Sequence, residues 1–134
     1  MILTDASALA ALVDAREPDH AACVAALASE TGPMLTTLPA LSEAMFVLRR
    51  YGWSGAEPLW RMFRRADLAL HYLDAALLER AAQLMERYRD VPMALADATL
   101  VAVAEALGEH RIFTLDADFR VYRTRTGQAF ELVP

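Results

Sequence analysis

The sequence predicts an α/β fold in which helices cover a mainly parallel, five-stranded sheet. Five short apolar runs of strand character alternate with segments of helical periodicity along the whole chain, and this alternation is typical of parallel strands joined by helices. A length of 134 residues suits one domain of ordinary size. No internal repeat or low-complexity tract interrupts the series, so we expect residues 1–134 to form a single domain.

Local signals place the elements of the first half of the chain. Strands are predicted at residues 1–4 and 34–37, and helices at 7–14, 19–29 and 37–51. Asp19 is suited to cap the second helix, which ends before the breaker pair Gly32 and Pro33. Thr37 is expected to cap the third helix, with Pro39 in its first turn, where proline is favoured.

The second half of the chain continues the same pattern. Helices are predicted at residues 54–65, 74–88 and 96–107, and strands at 68–73, 111–115 and 129–133. Asp74 suits an N-cap, and Gly108 is placed to end the last helix. The longest apolar stretch, 91–108, contains Asp97 and Glu105 and is barely long enough to cross a bilayer. We interpret it as a buried helix and expect no membrane association.

Composition narrows the possible functions. All 13 basic residues are arginine, which excludes P-loop enzymes, Schiff-base enzymes and other sites that depend on a lysine. The net charge of −5 argues against a protein that coats nucleic acid through a broad positive surface. If a metal site neutralised four carboxylates, those of Asp5, Glu43, Asp97 and Asp116, the charge would change from −5 to −1. No secretory signal opens the sequence, so the cytoplasm is the expected compartment.

Two acidic residues directly follow predicted strands. Asp5 follows the first strand and Asp116 the fourth. Ligands in open α/β sheets bind beyond the carboxyl ends of strands, near the point where strand order reverses. If these strands are neighbours, the two carboxylates face each other, and at about 4 Å they would repel by roughly 4 kcal/mol at an effective dielectric near 20. The pattern therefore predicts a divalent cation between them.

Two further acids, Asp97 and Glu43, lie on predicted helices beside apolar residues. The residues three, four and seven positions after Asp97 are apolar, as are those three and four positions after Glu43. A carboxylate in such surroundings is unfavourable unless it is paired or binds a metal. Simpler interpretations also stand: Asp97 as an N-cap or first-turn acid favoured by the helix dipole, and Glu43 as a buried acid paired with an arginine.

Two residues close to these acids in the sequence each have two possible roles, one at the metal and one in the local backbone structure. Asp118 follows Asp116 by two residues and is either a ligand or a residue that shapes the turn. Ser7 either caps the first helix, the preferred interpretation, or orients a water at the metal. A single cysteine and scattered histidines offer no tetrahedral set for zinc.

Four segments in order carry a family resemblance: I-L-T-D-A-S near the start, L-S-E-A in the middle, then L-A-D-A-T-L-V-A-V-A and F-T-L-D-A-D-F. With these segments the chain resembles the PIN-domain ribonucleases, most closely the VapC toxins of bacterial and archaeal toxin-antitoxin pairs. The resemblance spans nearly the whole chain. Each segment alone is weak, whereas four at these separations are fairly specific.

The resemblance implies a fold, a metal site and partners. The fold would be a doubly wound, three-layer α/β/α sandwich. The metal site would hold Mg²⁺ or Mn²⁺, as one or two ions. Its ligands would be the four acids Asp5, Glu43, Asp97 and Asp116, with Asp118 as a candidate extra ligand. Ser7 and Thr114 would be supporting residues close to the metal. A homodimer and an antitoxin segment that lies across the toxin are also implied.

RNA would need cations and a stacking surface beside the acidic pocket. Arg120, Arg123 and Arg125 follow the predicted metal-binding turn, and Tyr122 among them could stack on an unpaired base. The alternative is a solvated loop with salt bridges. The segment 53–65 is rich in aromatic residues, methionine and arginine, which favours an interface, although core packing accounts for at least half of its apolar side chains.

These observations lead to one hypothesis and two rivals. The hypothesis is a metal-dependent endoribonuclease that hydrolyses RNA phosphodiester bonds, acting as the toxin of a toxin-antitoxin pair. One rival is a catalytically silent binding module whose acidic pocket docks an arginine of a partner. The other is a metal phosphohydrolase acting on another phosphate ester or on DNA, against which the lack of lysine and of a D-x-D at the first strand exit both count.

Overall fold

The computed structural model describes residues 1–134 and contains one five-stranded sheet. The strands are β1 (Ile2–Thr4), β2 (Met34–Thr36), β3 (Leu68–Leu70), β4 (Arg111–Phe113) and β5 (Glu131–Val133). Their order across the sheet is β3-β2-β1-β4-β5, and every neighbouring pair is parallel. The predicted parallel sheet is thus confirmed.

Six α-helices connect the strands, at positions close to those predicted. They are α1 (Ala6–Val13), α2 (His20–Ala28), α3 (Leu38–Leu48), α4 (Trp53–Arg64), α5 (Ala75–Arg87) and α6 (Leu95–Leu107), with 3₁₀ turns at Arg49–Tyr51 and Ala117–Arg120. Asp74 caps α5 as predicted, since its carboxylate accepts a hydrogen bond from the Leu77 backbone N–H at 2.9 Å. Gly108, at φ 67°, ends α6 in the left-handed conformation that favours glycine.

Alternating side chains of the strands build one core on each face of the sheet. Ile2 and its neighbours on one face pack against α1, α2, α3 and α4, whereas Leu3 and its neighbours on the other face pack mainly against α5 and α6. Successive strand residues point to opposite faces, so continuous apolar strands are needed when helices cover both sides. The three-layer α/β/α sandwich is therefore confirmed.

Helix α6 is the most enclosed element of the fold. Every residue from 96 to 104 is buried, and Asp97 is the only ionisable residue among them. The apolar stretch that contains this helix packs inside the protein as expected, and no helix in the structure is long and apolar enough to span a membrane. Since α6 begins beside the sheet, Asp97 in its first turn is brought to the edge where the strands end.

Strands β2, β3 and β4 end earlier than predicted, whereas β1 and β5 end at the predicted residues. Thr37 leaves the sheet to become the N-cap position of α3, but its hydroxyl contacts that of Thr99 at 2.8 Å instead of capping the helix. Backbone hydrogen bonds still continue past β4, because the Thr114 N–H donates to the Val133 carbonyl at 2.9 Å. Backbone pairing between β4 and β5 therefore extends slightly beyond the end of β4, at the carboxyl ends of the strands, where the acids lie.

The strand order sets the position of a binding site. The chain runs from the central β1 outward to β2 and β3, and then crosses back to β4 and β5 on the other side of β1. The order reverses between β1 and β4, which is where ligands bind in open α/β sheets. Asp5 follows β1 and Asp116 follows β4, and these two strands are neighbours, which was the condition for their carboxylates to face each other.

Candidate metal centre

Asp5 is held in a fixed orientation at the carboxyl end of β1. Its backbone N–H donates to the Phe113 carbonyl of β4 at 2.9 Å, and only 4% of the residue is exposed. The hydroxyls of Ser7 and Thr114 both donate to its Oδ2, at 2.9 and 2.8 Å. Both side-chain donors lie on Oδ2, so Oδ1 accepts no side-chain hydrogen bond.

The preferred interpretation of Ser7 as a helix cap is wrong. Ser7 lies inside α1, and Asp5 occupies the N-cap position. The Ser7 hydroxyl instead bridges the two strand exits, since it donates to Asp5 and accepts the Leu115 backbone N–H at 3.0 Å. Both hydroxyls expected beside the site, those of Ser7 and Thr114, thus hold Asp5 directly.

Asp116 comes two residues after Thr114 and turns the chain into the second 3₁₀ helix. Its backbone N–H donates to the Thr114 hydroxyl at 3.0 Å, and its Oδ1 accepts the Asp118 backbone N–H at 2.9 Å. Asp118 itself is exposed in the first turn of that helix. Its main contact with the site is through its backbone, which agrees with the alternative that it shapes the turn.

Asp97 reaches the same place from the first turn of α6. Only 6% of the residue is exposed, and its Oδ2 accepts a hydrogen bond from the Tyr122 hydroxyl at 3.0 Å. The first-turn interpretation and the ligand interpretation are both compatible with this position. Tyr122 therefore belongs to the site through its buried hydroxyl, whereas the sequence had suggested that it contacts RNA.

The prediction that Tyr122 stacks on an RNA base is wrong. The residue has 0% exposure and its ring packs between Tyr88 and Phe119, so no base can reach its face. The sequence signal available was the spacing from Phe119, which placed two aromatic residues on one side of a short helical turn. That spacing indicates core packing more strongly than nucleic-acid contact.

Glu43 lies at the rim of the pocket. It projects from α3 as an exposed residue, and the apolar side chains next to it on that helix, Phe46 and Val47, are also exposed. The interpretation of a buried acid paired with an arginine is therefore wrong. Its carboxyl nevertheless interacts electrostatically with the pocket, because partial desolvation and then the charges of Asp5 and Asp116 raise its pKa.

Three of the four predicted acids form a compact cluster. Asp5, Asp97 and Asp116 each offer one carboxylate oxygen within 4.8 Å of the other two. This separation is close to the about 3 to 4 Å between two oxygen ligands of one Mg²⁺ ion at about 2.1 Å from each. Glu43 is outside this group but close enough to interact electrostatically with all three.

Burial and mutual repulsion make the ionised cluster costly. Desolvation, and then the negative charge of Asp5, raise the pKa of the Asp97 carboxyl to about 7, against the opposing hydrogen bond from Tyr122. Desolvation also raises the pKa of Asp5, although the hydrogen bonds from Thr114 and Ser7 oppose it. The raised pKa values measure how much the folded protein resists holding these negative charges together.

No basic side chain neutralises the cluster. The ion pairs of the protein join arginines to other acids, and none includes Asp5, Glu43, Asp97 or Asp116. Each carboxylate of the cluster is held by donors on one oxygen, and no protein cation neutralises its charge. Such carboxylates provide hard oxygen ligands. The donor set therefore fits a divalent cation that prefers oxygen.

The arginines after the 3₁₀ helix differ in their surroundings. The Arg123 guanidinium turns back to the carbonyls of Arg120 and Tyr122, at 2.7 and 2.8 Å. The Arg125 backbone N–H donates to Glu105 at 2.5 Å, at the far end of α6 from Asp97. Arg120 is exposed and forms no ion pair with an acid. An RNA contact by these three residues stays a prediction.

Fold and site together define an α/β protein with a carboxylate centre suited to a divalent cation at its topological switch point. The PIN domain family matches residues 2–124, and the chain belongs to that family. It is 30% identical to Ribonuclease VapC26 of Mycobacterium tuberculosis, over 99% of this chain and 100% of the relative.

A solved structure extends the likeness to three dimensions. The crystal structure of Mycobacterium tuberculosis VapC20, described as a Sarcin-Ricin loop cleaving toxin, superposes with a TM-score of 0.85. The alignment covers 100% of both chains at 24% sequence identity. The family resemblance inferred from the four sequence segments is thus confirmed.

Proposed function

We propose that this protein is a metal-dependent endoribonuclease that hydrolyses RNA phosphodiester bonds and acts as the toxin of a toxin-antitoxin pair. One observation carries the proposal: three carboxylates from distant parts of a PIN-family chain lie within 4.8 Å of one another with no protein cation among them. The relative at 30% identity, which the chain covers almost completely, carries the name ribonuclease.

The proposed cofactor is Mg²⁺ or Mn²⁺, bound as one or two ions. The cluster consists of aspartates alone, without histidine or cysteine, which favours hard cations over zinc. When bound, such an ion supplies a Lewis acid for the scissile phosphate and lowers the pKa of an attacking water. Asp5, Asp97 and Asp116 would be its ligands, with Glu43 completing the acidic rim.

The protein's own residues position these ligands. Ser7 and Thr114 fix the Asp5 carboxylate through two hydroxyl donors, and the turn after β4 fixes Asp116 through the Asp118 backbone N–H. A carboxylate already held in place loses little conformational entropy when it binds an ion. No nucleophilic serine, cysteine or histidine is needed, because water is the attacking group.

The proposed partners are single-stranded or looped RNA, an antitoxin protein and a second copy of the chain. Exposed Arg120 supports a contact with the RNA backbone beside the pocket. Trp53 and Phe63 of α4 are 64% and 40% exposed, which supports an interface on that helix because aromatic residues are enriched at protein contacts. Leu59 of the same helix is fully buried and packs in the core.

A nuclease assay tests the proposed function. Highly purified protein is incubated with RNA that contains hairpin and single-stranded segments, in Mg²⁺, Mn²⁺ or EDTA, and with DNA of the same sequence. We expect cleavage of RNA only when metal is present. Asp5→Asn should lower the rate of RNA cleavage by about 100-fold or more, because it removes the charge of a central ligand.

The matched control is Asp19→Asn, which removes the same charge from an exposed aspartate that forms no ion pair. It should cleave like the unmodified protein. Full cleavage by Asp5→Asn, or cleavage that persists in EDTA, would contradict the proposal. Metal binding without cleavage of any RNA would favour the silent binding module, and cleavage of DNA alone would favour the other phosphohydrolase.

A further inference from the structure

Tyr122 is not one of the clustered acids, but it forms a hydrogen bond with one of them. Its hydroxyl donates to Oδ2 of Asp97 at 3.0 Å, and both residues are buried. We propose that Tyr122 is a positioning residue of the metal centre, whose hydroxyl holds the Asp97 carboxylate with Oδ1 directed at the ion. The inference rests on the proposed function, because it requires that the cluster binds a divalent cation.

The Tyr122 ring is held from two sides, which makes its hydroxyl a rigid donor. Tyr88 contacts it edge to face at a centroid distance of 5.1 Å, and Phe119 does the same at 5.2 Å. Phe119 is in turn braced by Phe130 at 6.2 Å. Because these rings fill the core between α5, α6 and the segment after β4, the hydroxyl has one position relative to Asp97.

Asp97 is the one acid of the cluster whose carboxylate is held by a single side chain from a distant part of the chain. Asp5 receives hydrogen bonds from two hydroxyls, and Asp116 is held by a backbone N–H of its own turn. Asp97 has Tyr122 as its only side-chain donor. Removal of that donor would therefore free the Asp97 carboxylate to rotate.

The remaining oxygen of Asp97 is not enclosed by the protein. The one enclosed side-chain polar atom without a hydrogen-bond partner is Oδ2 of Asp14, which lies 3.6 Å from the Arg50 guanidinium. Since Oδ1 of Asp97 accepts no hydrogen bond and is not such an atom, it is accessible. Repulsion from Asp5 and Asp116 would turn a free Asp97 carboxylate away from the cluster, and the tyrosine hydroxyl opposes that rotation by holding Oδ2.

A simpler account is that a buried tyrosine hydroxyl needs some partner and Asp97 happens to supply it. The two accounts differ in what they predict for metal affinity. Outer partners that orient metal ligands typically change affinity by about 10- to 100-fold when they are removed. A hydroxyl that only satisfies its own hydrogen bond would change the stability of the protein and leave metal affinity as it was.

Tyr122→Phe removes the hydroxyl and keeps the ring, and Tyr88→Phe is its matched control. The Tyr88 hydroxyl belongs to the same aromatic cluster but accepts the Arg123 backbone N–H, at 2.9 Å, and touches no acid of the site. Mn²⁺ affinity is measured on the full-length, RNA-free proteins by calorimetry and by the electron paramagnetic resonance signal of free Mn²⁺. The Mn²⁺ concentration that half-saturates RNA cleavage is measured separately.

We expect Tyr122→Phe to weaken Mn²⁺ binding about 10- to 100-fold and to raise the half-saturating Mn²⁺ concentration by the same factor. Its cleavage rate at saturating Mn²⁺ should recover toward that of the unmodified protein, and Tyr88→Phe should bind Mn²⁺ normally. If circular dichroism shows that Tyr122→Phe does not fold, all three proteins are measured in trimethylamine N-oxide, which favours the folded state.

Two results would overturn the inference and leave the metal centre in place: unchanged Mn²⁺ affinity in Tyr122→Phe, or an equal loss in Tyr88→Phe, which would indicate a general loosening of the core. If the unmodified protein binds no Mn²⁺, the inference and the proposed function both fail.

Discussion

Asp97 should make the metal-free protein less stable as the pH rises, and Asp97→Asn should remove that effect. The carboxyl is buried beside two other acids, so the folded protein resists its ionisation. Asparagine has nearly the same shape, and its side-chain oxygen can still accept the Tyr122 hydrogen bond. The substitution therefore changes the charge of the cluster with little change in packing.

The magnitude follows from the raised pKa. Folding shifts the pKa of Asp97 from 3.8 to about 7, and about three pKa units correspond to about 4 kcal/mol. Between these two values the folded protein holds a proton that the unfolded chain releases, so the free energy of unfolding falls as the pH rises and is constant above about 7. From pH 5 to pH 8 the loss should be about 3 kcal/mol.

The assay is urea denaturation in EDTA at pH 5, 6, 7 and 8. Asp97→Asn should gain about 3 kcal/mol relative to the unmodified protein over this range, and it should be the more stable of the two at pH 8. Asp5 and Glu43 also have raised pKa values, but they are present in both proteins. The difference between the two proteins thus reports mainly on Asp97.

Asp19→Asn is again the control, since it removes an exposed charge and should leave the pH dependence as it is in the unmodified protein. The reasoning is refuted if the stability difference between Asp97→Asn and the unmodified protein is the same at pH 5 and pH 8. That result would mean that Asp97 is solvated in the folded protein and not forced against other carboxylates.

Three further predictions concern the metal, the rim and the core. Mn²⁺ at 100 times its dissociation constant should raise the unfolding free energy by about 2.7 kcal/mol at pH 8, and urea denaturation should show no such gain for Asp5→Asn. Glu43→Gln should raise the Mn²⁺ concentration needed for cleavage by less than Asp5→Asn does, because Glu43 is exposed and outside the 4.8 Å cluster; equal losses in the nuclease assay would contradict its place at the rim. Arg80→Ala should cost about 2 kcal/mol in urea denaturation, because it removes the charged partner of the partly buried Glu105, which keeps only the hydrogen bond from the Arg125 backbone N–H. Arg61→Ala removes an exposed ion pair and should cost less than about 1 kcal/mol; similar costs for the two variants would contradict the burial argument.

Local patterns in the sequence were sufficient to place the helices and strands. The capping aspartate before α5 and the glycine after α6 act within one turn of the chain, so their effect does not depend on tertiary contacts. The acids after β1 and β4 could also be assigned to one edge, because the carboxyl ends of parallel strands meet there. Asp5 and Asp116 were found in this way, and Asp97 was found by its apolar neighbours on the predicted helix.

The roles of Ser7, Tyr122 and Glu43 could not be obtained from local patterns. Ser7 looked like a helix cap because caps are common just after a strand, yet its hydroxyl reaches across to Leu115, 108 positions away in the chain. Tyr122 looked available for RNA because arginines surround it in sequence, but its ring turns into the core. Glu43 looked buried because its helix neighbours are apolar, and those neighbours proved to be exposed.

The sequence by itself thus determined the α/β alternation, the parallel sheet and the acids that meet at its edge, because these depend on periodicity and on residues next to strand ends. Only the tertiary structure decided that Tyr122 holds Asp97 and that two hydroxyls hold Asp5. The hydrogen bonds from Tyr122 to Asp97 and from Thr114 to Asp5 join residues far apart in the chain, and which distant groups meet depends on how both cores pack against the sheet.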